Sequence, residues 1–260
     1  MLLAVDAGNT NIVFAVYDGA TLIEKWRLNT DGNRTADEYA VWLNQFLQLK
    51  NLRLPDIDSA IISCVVPPAL FGLRRLCQKF LHCEPLVVGE PEVDAGIEIR
   101  IDNPSAVGAD RIANAVGAHA RYPGALIVID FGTATTLDVV ASDGAYDGGI
   151  IAPGVNLSVE ALYRAAAKLP NIAIEPPGSV IGKGTVHAMQ SGVFYGYVAM
   201  IEGLVNRVRT EYGKPLTVVA TGGLSMLFDA YTPAIEHVDE NLTIDGLRLL
   251  FERNRKSRPR

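Results

Sequence analysis

Two short segments of this 260-residue sequence carry side chains suited to binding phosphate and a metal ion. The first is D-A-G-N-T-N, residues 6–11, in which a carboxylate and a glycine precede three small hydrogen-bonding side chains. A turn of this composition lets backbone N–H groups close around phosphate oxygens and keeps the carboxylate near a metal ion. Apolar runs stand on both sides of the segment, which predicts the loop of a β-hairpin.

The pattern recurs in D-F-G-T-A-T-T, residues 130–136, again between apolar runs. Placing Asp130 on Asp6 gives an offset of 124 residues. At that offset the other aligned pairs are Gly8 with Gly132, Asn9 with Thr133 and Asn11 with Thr135. One copy alone is typical of an ordinary hairpin. Two copies at comparable places in two halves indicate a duplicated domain and a function in binding phosphate.

Two further motifs have both a structural and a functional interpretation. Gly108-Ala109-Asp110-Arg111 opens a helical pattern that runs to residue 118. The helix dipole favours an acid at this position and the arginine could form a surface ion pair. Alternatively, both side chains face a cleft, where the carboxylate transfers a proton and the guanidinium binds an anionic group of the substrate. Thr221-Gly222-Gly223 follows an apolar strand, and its glycines would let an adenine or a phosphate approach the backbone.

The segment G-S-V-I-G-K-G-T, residues 178–185, does not satisfy the P-loop pattern. Its spacing is wrong, Lys183 is followed by Gly184 instead of Ser or Thr, and no predicted strand precedes it. The dinucleotide motif G-x-G-x-x-G is also missing. If the protein binds ATP, the two hairpins must hold it.

Composition restricts the class of protein. A hydrophobic fraction of 49% and a charged fraction of 20% are typical of a globular protein with a sizeable core. The net charge of −6 argues against a general nucleic-acid surface but not against a locally positive nucleotide pocket. The three cysteines lack C-x-x-C spacing, which predicts free thiols in a reducing cytoplasm. We see no signal-peptide pattern and no apolar run of membrane-spanning length, and we expect a cytoplasmic protein.

The order of predicted elements is nearly the same in both halves. The first half has three strands up to residue 28, a helix from a capping box at residue 35, a strand at 59–66, a helix at 69–81 and a strand at 85–88. A further strand is predicted at 96–101. The second half has strands at 125–129, 135–141, 146–151 and 216–220, with helices through residue 169, over 185–212 and over 243–254. Three antiparallel strands followed by alternating helices and parallel strands predict an α/β, ribonuclease-H-like unit in each half. We place the two domains at residues 1–105 and 106–260.

Five motifs in this order resemble the type III pantothenate kinases, bacterial enzymes of the first step of coenzyme A synthesis. They are D-A-G-N-T-N at 6–11, G-A-D-R at 108–111, D-F-G-T-A-T-T at 130–136, G-K-G-T at 182–185 with M-Q-S-G after it, and T-G-G at 221–223. The resemblance covers nearly the whole chain. It implies an actin-like ATPase fold, with two mixed five-stranded sheets flanked by helices and the active site in the cleft between the domains.

The resemblance also implies roles for individual residues. Asp110 would be the general base on the pantothenate hydroxyl, and Arg111 a partner for the pantothenate carboxylate. Asp130 would bind the monovalent cation, potassium or ammonium, that the family requires, and Asp6 would lie near Mg²⁺ through water. The residues expected to bind ATP are Asp6, Ala7, Gly8, Asn9, Thr10, Asn11, Ile12, Val13, Thr133, Gly222 and Gly223. Those expected to bind pantothenate are Gly108, Ala109, Asp110, Arg111 and Thr185.

The family implies a cytoplasmic homodimer with the site near the subunit interface. In one respect the sequence departs from the family, which usually has a tyrosine where Ile101 stands, before Asp102-Asn103-Pro104. Isoleucine supplies an apolar wall but no hydroxyl. Two other functions stay open at this point: a regulator that keeps the fold without activity, and a sugar or acid kinase of the same superfamily. An enzyme is favoured because the charged residues of the motifs are all present: Asp6, Asp110, Arg111 and Asp130. The G-A-D-R motif favours pantothenate as its acceptor.

Overall fold

The computed structural model describes residues 1–166 and 169–255. Contacts along the chain form two compact units. Unit 1 contains Met1–Arg121, Gly144–Tyr146 and the chain from Asn241 onward, and unit 2 contains Tyr122–Asp143 and Asp147–Glu240. The division into domains 1–105 and 106–260 stays a prediction. The compact units group the chain differently, because two helices of the second half pack within unit 1.

Unit 1 is built on a mixed five-stranded sheet with the strand order β3-β2-β1-β4-β5. The central strand pairs antiparallel with β2 and parallel with β4. Alternate residues of that strand enter an apolar core that also contains side chains of two helices. The elements are β1 (Leu2–Ala7), β2 (Asn11–Asp18), β3 (Thr21–Asn29), α1 (Ala36–Gln48), β4 (Ser59–Cys64), α2 (Pro67–Phe80) and β5 (Leu86–Val87).

Two more helices, α3 (Ala109–Arg121) and α7 (Leu242–Arg255), belong to unit 1. The helix α7 contacts β1 and β4, and α3 contacts β4. They cross at glycines. A β-carbon added to Gly117 would lie 2.5 Å from the Leu242 carbonyl oxygen, and one added to Gly246 would lie 1.9 Å from the Ala113 carbonyl oxygen. The buried Asn114 side chain also accepts a hydrogen bond from Thr243 at 2.7 Å. This close crossing fixes α3, whose first turn carries the G-A-D-R motif.

Unit 2 repeats the topology. Its sheet has the order β10-β9-β6-β7-β8, which read in reverse matches the order in unit 1 strand for strand. The strand β6 pairs antiparallel with β7 and parallel with β9, as β1 does with β2 and β4. The elements are β6 (Leu126–Phe131), β7 (Ala134–Val140), β8 (Tyr146–Pro153), α4 (Val155–Ala165), α5 (Thr185–Tyr212), β9 (Thr217–Gly222), α6 (Ser225–Asp229) and β10 (His237–Val238). The predicted fold class, with two mixed five-stranded sheets flanked by helices, is confirmed.

Three local predictions differ from the structure. The strand predicted at 96–101 is reduced to a single parallel bridge between Ile99 and Tyr146. The helix predicted through residue 169 ends at Ala165, because Ala166 is extended. The elements α6 and β10 were not predicted, since five and two residues are too short to show a periodicity. No helix of the described residues is long and apolar enough to cross a membrane.

Candidate active site

The loop of the first hairpin is held in one conformation by its carbonyl groups. The Gly8 N–H donates to the Asn11 carbonyl at 3.0 Å, and Thr30 donates from its hydroxyl to Gly8 O and from its N–H to Thr10 O at 2.6 and 2.9 Å. The Ala7 carbonyl accepts from Val65 N–H at 3.0 Å. These carbonyl oxygens therefore point to partners within the protein, where they do not oppose an anionic ligand. The side chains at the tip, Asn9 and Thr10, are exposed.

The second hairpin is closed by equivalent bonds. The Gly154 N–H donates to Thr133 O at 3.1 Å, and the Gly223 N–H donates to Phe131 O at 3.2 Å. A β-carbon at Gly154 would lie 2.2 Å from that Thr133 oxygen, so only glycine fits there. Residue 154 follows the third strand of its unit, as Thr30 does in unit 1. The internal repeat therefore extends to the contacts that shape each loop.

The strand pairing corrects one detail of the repeat. Ala7 pairs with Ile12, whereas Phe131 pairs with Thr135, so the second loop is one residue shorter. The structural equivalent of Thr135 is Ile12, not Asn11 as the constant offset predicted. Thr135 is buried, and its hydroxyl is hydrogen-bonded to the Tyr197 hydroxyl. It therefore belongs to the support of the loop.

The first turn of α3 presents Asp110 and Arg111 next to each other. An Asp110 carboxylate oxygen accepts the Arg111 backbone N–H at 2.8 Å. A β-carbon on Gly108 would lie 2.4 Å from that same oxygen, so this glycine leaves the room that the carboxylate occupies. Residues 108–111, which we expect to bind pantothenate, belong to the same unit as the first hairpin.

Arg111 has a partner that the sequence did not indicate. Its guanidinium lies over the ring of Tyr146, 5.5 Å from the centroid. The backbone of Tyr146 is fixed by Arg100 N–H and Glu98 O, each at 2.8 Å. A cation–π contact with a buried aromatic ring favours this position of the guanidinium. Nothing in the spacing of Tyr146 distinguishes it from a core tyrosine.

Asp130 lies against a glycine in the neighbouring strand. Gly222 has a φ of +91°, and a β-carbon there would meet an Asp130 carboxylate oxygen at 2.6 Å and the backbone of Phe131 at 2.7 Å. The conformation and the space both require glycine. The T-G-G motif therefore supports the second acidic residue directly, and its first two residues belong to β9 rather than to a turn.

Thr185 is the first residue of α5 and is exposed. It lines an open, largely apolar groove of about 740 Å³ in unit 2, together with Ser158, Leu162, Leu169, Met189, Val193 and Tyr197 among others. Lys183, two residues earlier, is exposed and lies outside any helix or strand.

The donor set fits Mg²⁺ that is bound mainly through a nucleotide. The described residues contain no group of three or more His, Cys, Asp or Glu side chains able to hold a metal ion. Mg²⁺ typically takes one or two carboxylates and completes its shell with water and phosphate oxygens. Near Asp6 the Ser63 hydroxyl is buried without a hydrogen-bond partner among the described residues, which fits a site that a ligand completes. Burial raises the pKa of the nearby Cys64 thiol, and the Asp6 charge adds to that rise against the opposing effect of the hydrogen bond to the Val66 backbone.

Comparison with known proteins decides the family. A model of the type III pantothenate kinases matches residues 2–207. The type III pantothenate kinase of Phenylobacterium zucineum is 58% identical over 254 residues, which is 98% of either chain. The chain belongs to the type III pantothenate kinase family. Membership confirms the predicted activity, the ATP-dependent phosphorylation of pantothenate in coenzyme A biosynthesis, and the enzyme class, a kinase.

Solved structures with low identity support the fold of this family. The chain is similar to a Campylobacter jejuni protein described as a Baf family transcriptional activator, with a TM-score of 0.58 and 21% identity over 98% of this chain and 99% of that one. It is also similar to a ROK hexokinase from Thermus thermophilus, with a TM-score of 0.52 and 14% identity over 99% of either chain. At these identities the likeness concerns the fold alone, which is that of the actin-like ATPases and sugar kinases.

Proposed function

We propose that Asp110 is the general base of the kinase reaction. The observation that supports this most is its place in the first turn of α3, where Gly108 leaves space for the carboxylate and Arg111 follows it. The pantothenate hydroxyl oxygen attacks the γ-phosphorus of ATP as the bond to the β–γ bridging oxygen breaks. Asp110 accepts the hydroxyl proton and ADP leaves. Catalysis of this kind rests on positioning and on neutralisation of phosphate charge.

Arg111 binds the pantothenate carboxylate in this proposal. The position of its guanidinium is favoured by the cation–π contact with the Tyr146 ring. The loss of a hydrogen bond to a charged group costs about 1.5–3 kcal/mol. We therefore expect Arg111→Ala to raise the KM for pantothenate about 10- to 100-fold with a smaller effect on kcat.

Pantothenol, which has an alcohol in place of the carboxylate, tests this contact without a mutation. It should bind the wild-type enzyme more weakly than pantothenate does, and Arg111→Ala should remove most of that difference. Equal binding of the two compounds by the wild type contradicts the carboxylate contact.

The nucleotide is held by the hairpin loops and the T-G-G motif. The proposed contacts to ATP come from Asp6, Ala7, Gly8, Asn9, Thr10, Asn11, Ile12, Val13, Thr133, Gly222 and Gly223. Mg²⁺ bound with the phosphates would neutralise part of their charge, and Asp6 would hold it through water. Thr185, which is exposed at the start of α5, is also proposed to contact pantothenate.

We infer that Asp130 holds the monovalent cation, K⁺ or NH₄⁺. Its carboxylate is at the end of β6, where Gly222 gives it space. Replacing K⁺ by Na⁺ should lower the turnover of the wild type. Asp130→Asn should have low turnover in every salt, and a variant that keeps its dependence on K⁺ would exclude Asp130 from the cation site.

A cytoplasmic homodimer is also part of the proposal. Large apolar side chains on α4 and α5 are exposed in the single chain: Leu157, Leu162, Tyr163 and Val186. One chain has a mass of 28.0 kDa, and sedimentation should give twice that mass. Leu162→Glu should then shift the population towards the monomer, whereas a wild-type protein that sediments as a monomer contradicts the dimer.

Release of ADP from ATP tests the reaction itself. We expect release to depend on pantothenate and on potassium. Release with a sugar but not with pantothenate would indicate a sugar kinase of the same fold. Absence of release with any acceptor would indicate a regulator without activity.

A further inference from the structure

We propose that Ser63 positions the Asp6 carboxylate when the magnesium–nucleotide complex is bound, by donating a hydrogen bond from its hydroxyl to that carboxylate. Ser63 is then a positioning residue that acts through Asp6. The inference rests on the proposed function, because it takes the nucleotide to bind at the first hairpin.

The register of the sheet places the two side chains next to each other. The parallel strands β1 and β4 pair Asp6 with Ser63, and residues paired in this way share one face of the sheet. The adjoining pair, Val5 with Ile62, is buried in the apolar core on the opposite face. Asp6 and Ser63 therefore lie on the face of the sheet opposite to that core.

The Ser63 hydroxyl is buried, and it has no hydrogen-bond partner among the described residues. Other buried serines in the described chain are satisfied: Ser191 donates to the Val180 carbonyl and Ser225 donates to the Gly222 carbonyl. A buried hydroxyl without a partner is costly and therefore needs an explanation. An acceptor that reaches it only in the loaded state supplies one.

Asp6 is the acceptor that the geometry favours. A carboxylate has lone pairs for several hydrogen bonds, and Asp6 stands beside Ser63 on the adjacent strand. Asp6 is half-buried, at the end of its strand. A hydrogen bond from a fixed hydroxyl would hold its second oxygen while the first faces the water shell of Mg²⁺, as ligands of metal ions are commonly held by a second partner.

The second unit has the same arrangement of residue types. Asp130 pairs with Thr221 across β6 and β9, at the register position equivalent to that of Asp6 and Ser63. Thr221 is buried as well. Both acidic residues of the repeat thus have a buried hydroxyl beside them on the neighbouring parallel strand, which a purely apolar sheet interior does not require.

The test compares Ser63→Ala with a matched control, Ser59→Ala. Ser59 lies on the same strand and face but at the other end, paired with Leu2, and its hydroxyl already donates to Asp58 at 2.9 Å. Four quantities are measured for each full-length variant: the melting temperature without ligand, the Kd of MgADP by calorimetry, kcat, and the KM for ATP.

We expect Ser63→Ala to leave the melting temperature of the free protein unchanged or to raise it, because it removes a hydroxyl that has no partner. It should weaken MgADP binding about 10- to 100-fold, the worth of one hydrogen bond to a charged group. Ser63→Thr keeps the hydroxyl and should recover most of that affinity. Ser59→Ala should bind MgADP as the wild type does.

Two results would overturn the inference. One is Ser63→Ala with wild-type affinity for MgADP. The other is a lower melting temperature of the free variant with no added loss of binding, which would give Ser63 a role in packing only. Failure of the proposed function is distinguishable, since in that case the wild-type protein itself binds no MgADP.

Discussion

The crossing of α3 and α7 gives the most demanding prediction, for the variant Gly246→Ala. A β-carbon at residue 246 would lie 1.9 Å from the carbonyl oxygen of Ala113 and 2.7 Å from its carbonyl carbon. Both atoms belong to the backbone of α3, so no side chain can rotate away. The helices must move apart by roughly 1.5 Å or more before this contact reaches an ordinary van der Waals distance.

The magnitude follows from two opposing terms. Overpacking of a close contact costs about 1–3 kcal/mol, and a contact this short belongs to the upper end of that range. Alanine is more favourable than glycine inside a helix by about 1 kcal/mol. The net loss expected for Gly246→Ala is therefore about 2 kcal/mol of the free energy of unfolding. Because α3 carries Asp110 and Arg111, the KM for pantothenate should rise as well.

Urea denaturation measures the loss, with Gly203→Ala as the control. Gly203 is inside α5 and exposed, and a β-carbon there meets nothing within 4 Å. This control should gain up to about 1 kcal/mol from helix propensity alone. The two glycine substitutions thus have opposite signs. A Gly246→Ala variant as stable as the wild type would refute the tight crossing.

Two further substitutions test other parts of the fold. Gly222→Ala should abolish most turnover and destabilise the protein. The φ of +91° at this position disfavours alanine, and the added carbon displaces the Asp130 carboxylate. A variant with the potassium dependence of the wild type would contradict this. Thr35→Ala removes the hydroxyl that caps the Glu38 backbone N–H at the start of α1 and should cost about 1 kcal/mol in urea denaturation. The backbone hydrogen bond from Thr35 lowers the pKa of Glu38, so the stability from Glu38 is present above the ordinary carboxyl pKa and is lost as the pH falls through the lowered value. Thr35→Ala keeps the backbone N–H that donates to Glu38 and loses only the hydroxyl, which donates to the same carboxylate at 2.8 Å. The difference between wild type and Thr35→Ala should therefore shrink in acid by the contribution of the hydroxyl bond, and a difference independent of pH would contradict that bond.

The sequence was most informative where a regular pattern runs over many residues. The hairpins and α5 show clear periodicity, and α5 spans Thr185–Tyr212 as predicted. Loop lengths are a different matter. The sequence comparison assumed a constant offset of 124 residues through the second hairpin. Because Phe131 pairs with Thr135, the second loop is one residue shorter than the first. Only the register of the strands reveals such a change.

The partners of the site residues could not be predicted, because they are distant in sequence. Gly246 is an ordinary helix glycine until α3 is packed against it. Tyr146 stands in a strand whose sequence carries no sign of a functional role. A hydroxyl within the otherwise apolar run of β4 was a weak signal, and the pairing with Asp6 gives it meaning.

The role of Asp110 is tested most directly by the turnover of Asp110→Asn at saturating ATP and pantothenate. Removal of a general base lowers the rate about 10²–10⁴-fold. We expect kcat to fall by that amount or more while calorimetry shows that pantothenate still binds, since Arg111 and its contact with Tyr146 are unchanged. Turnover near that of the wild type would contradict Asp110 as the base, and with it the proposed mechanism.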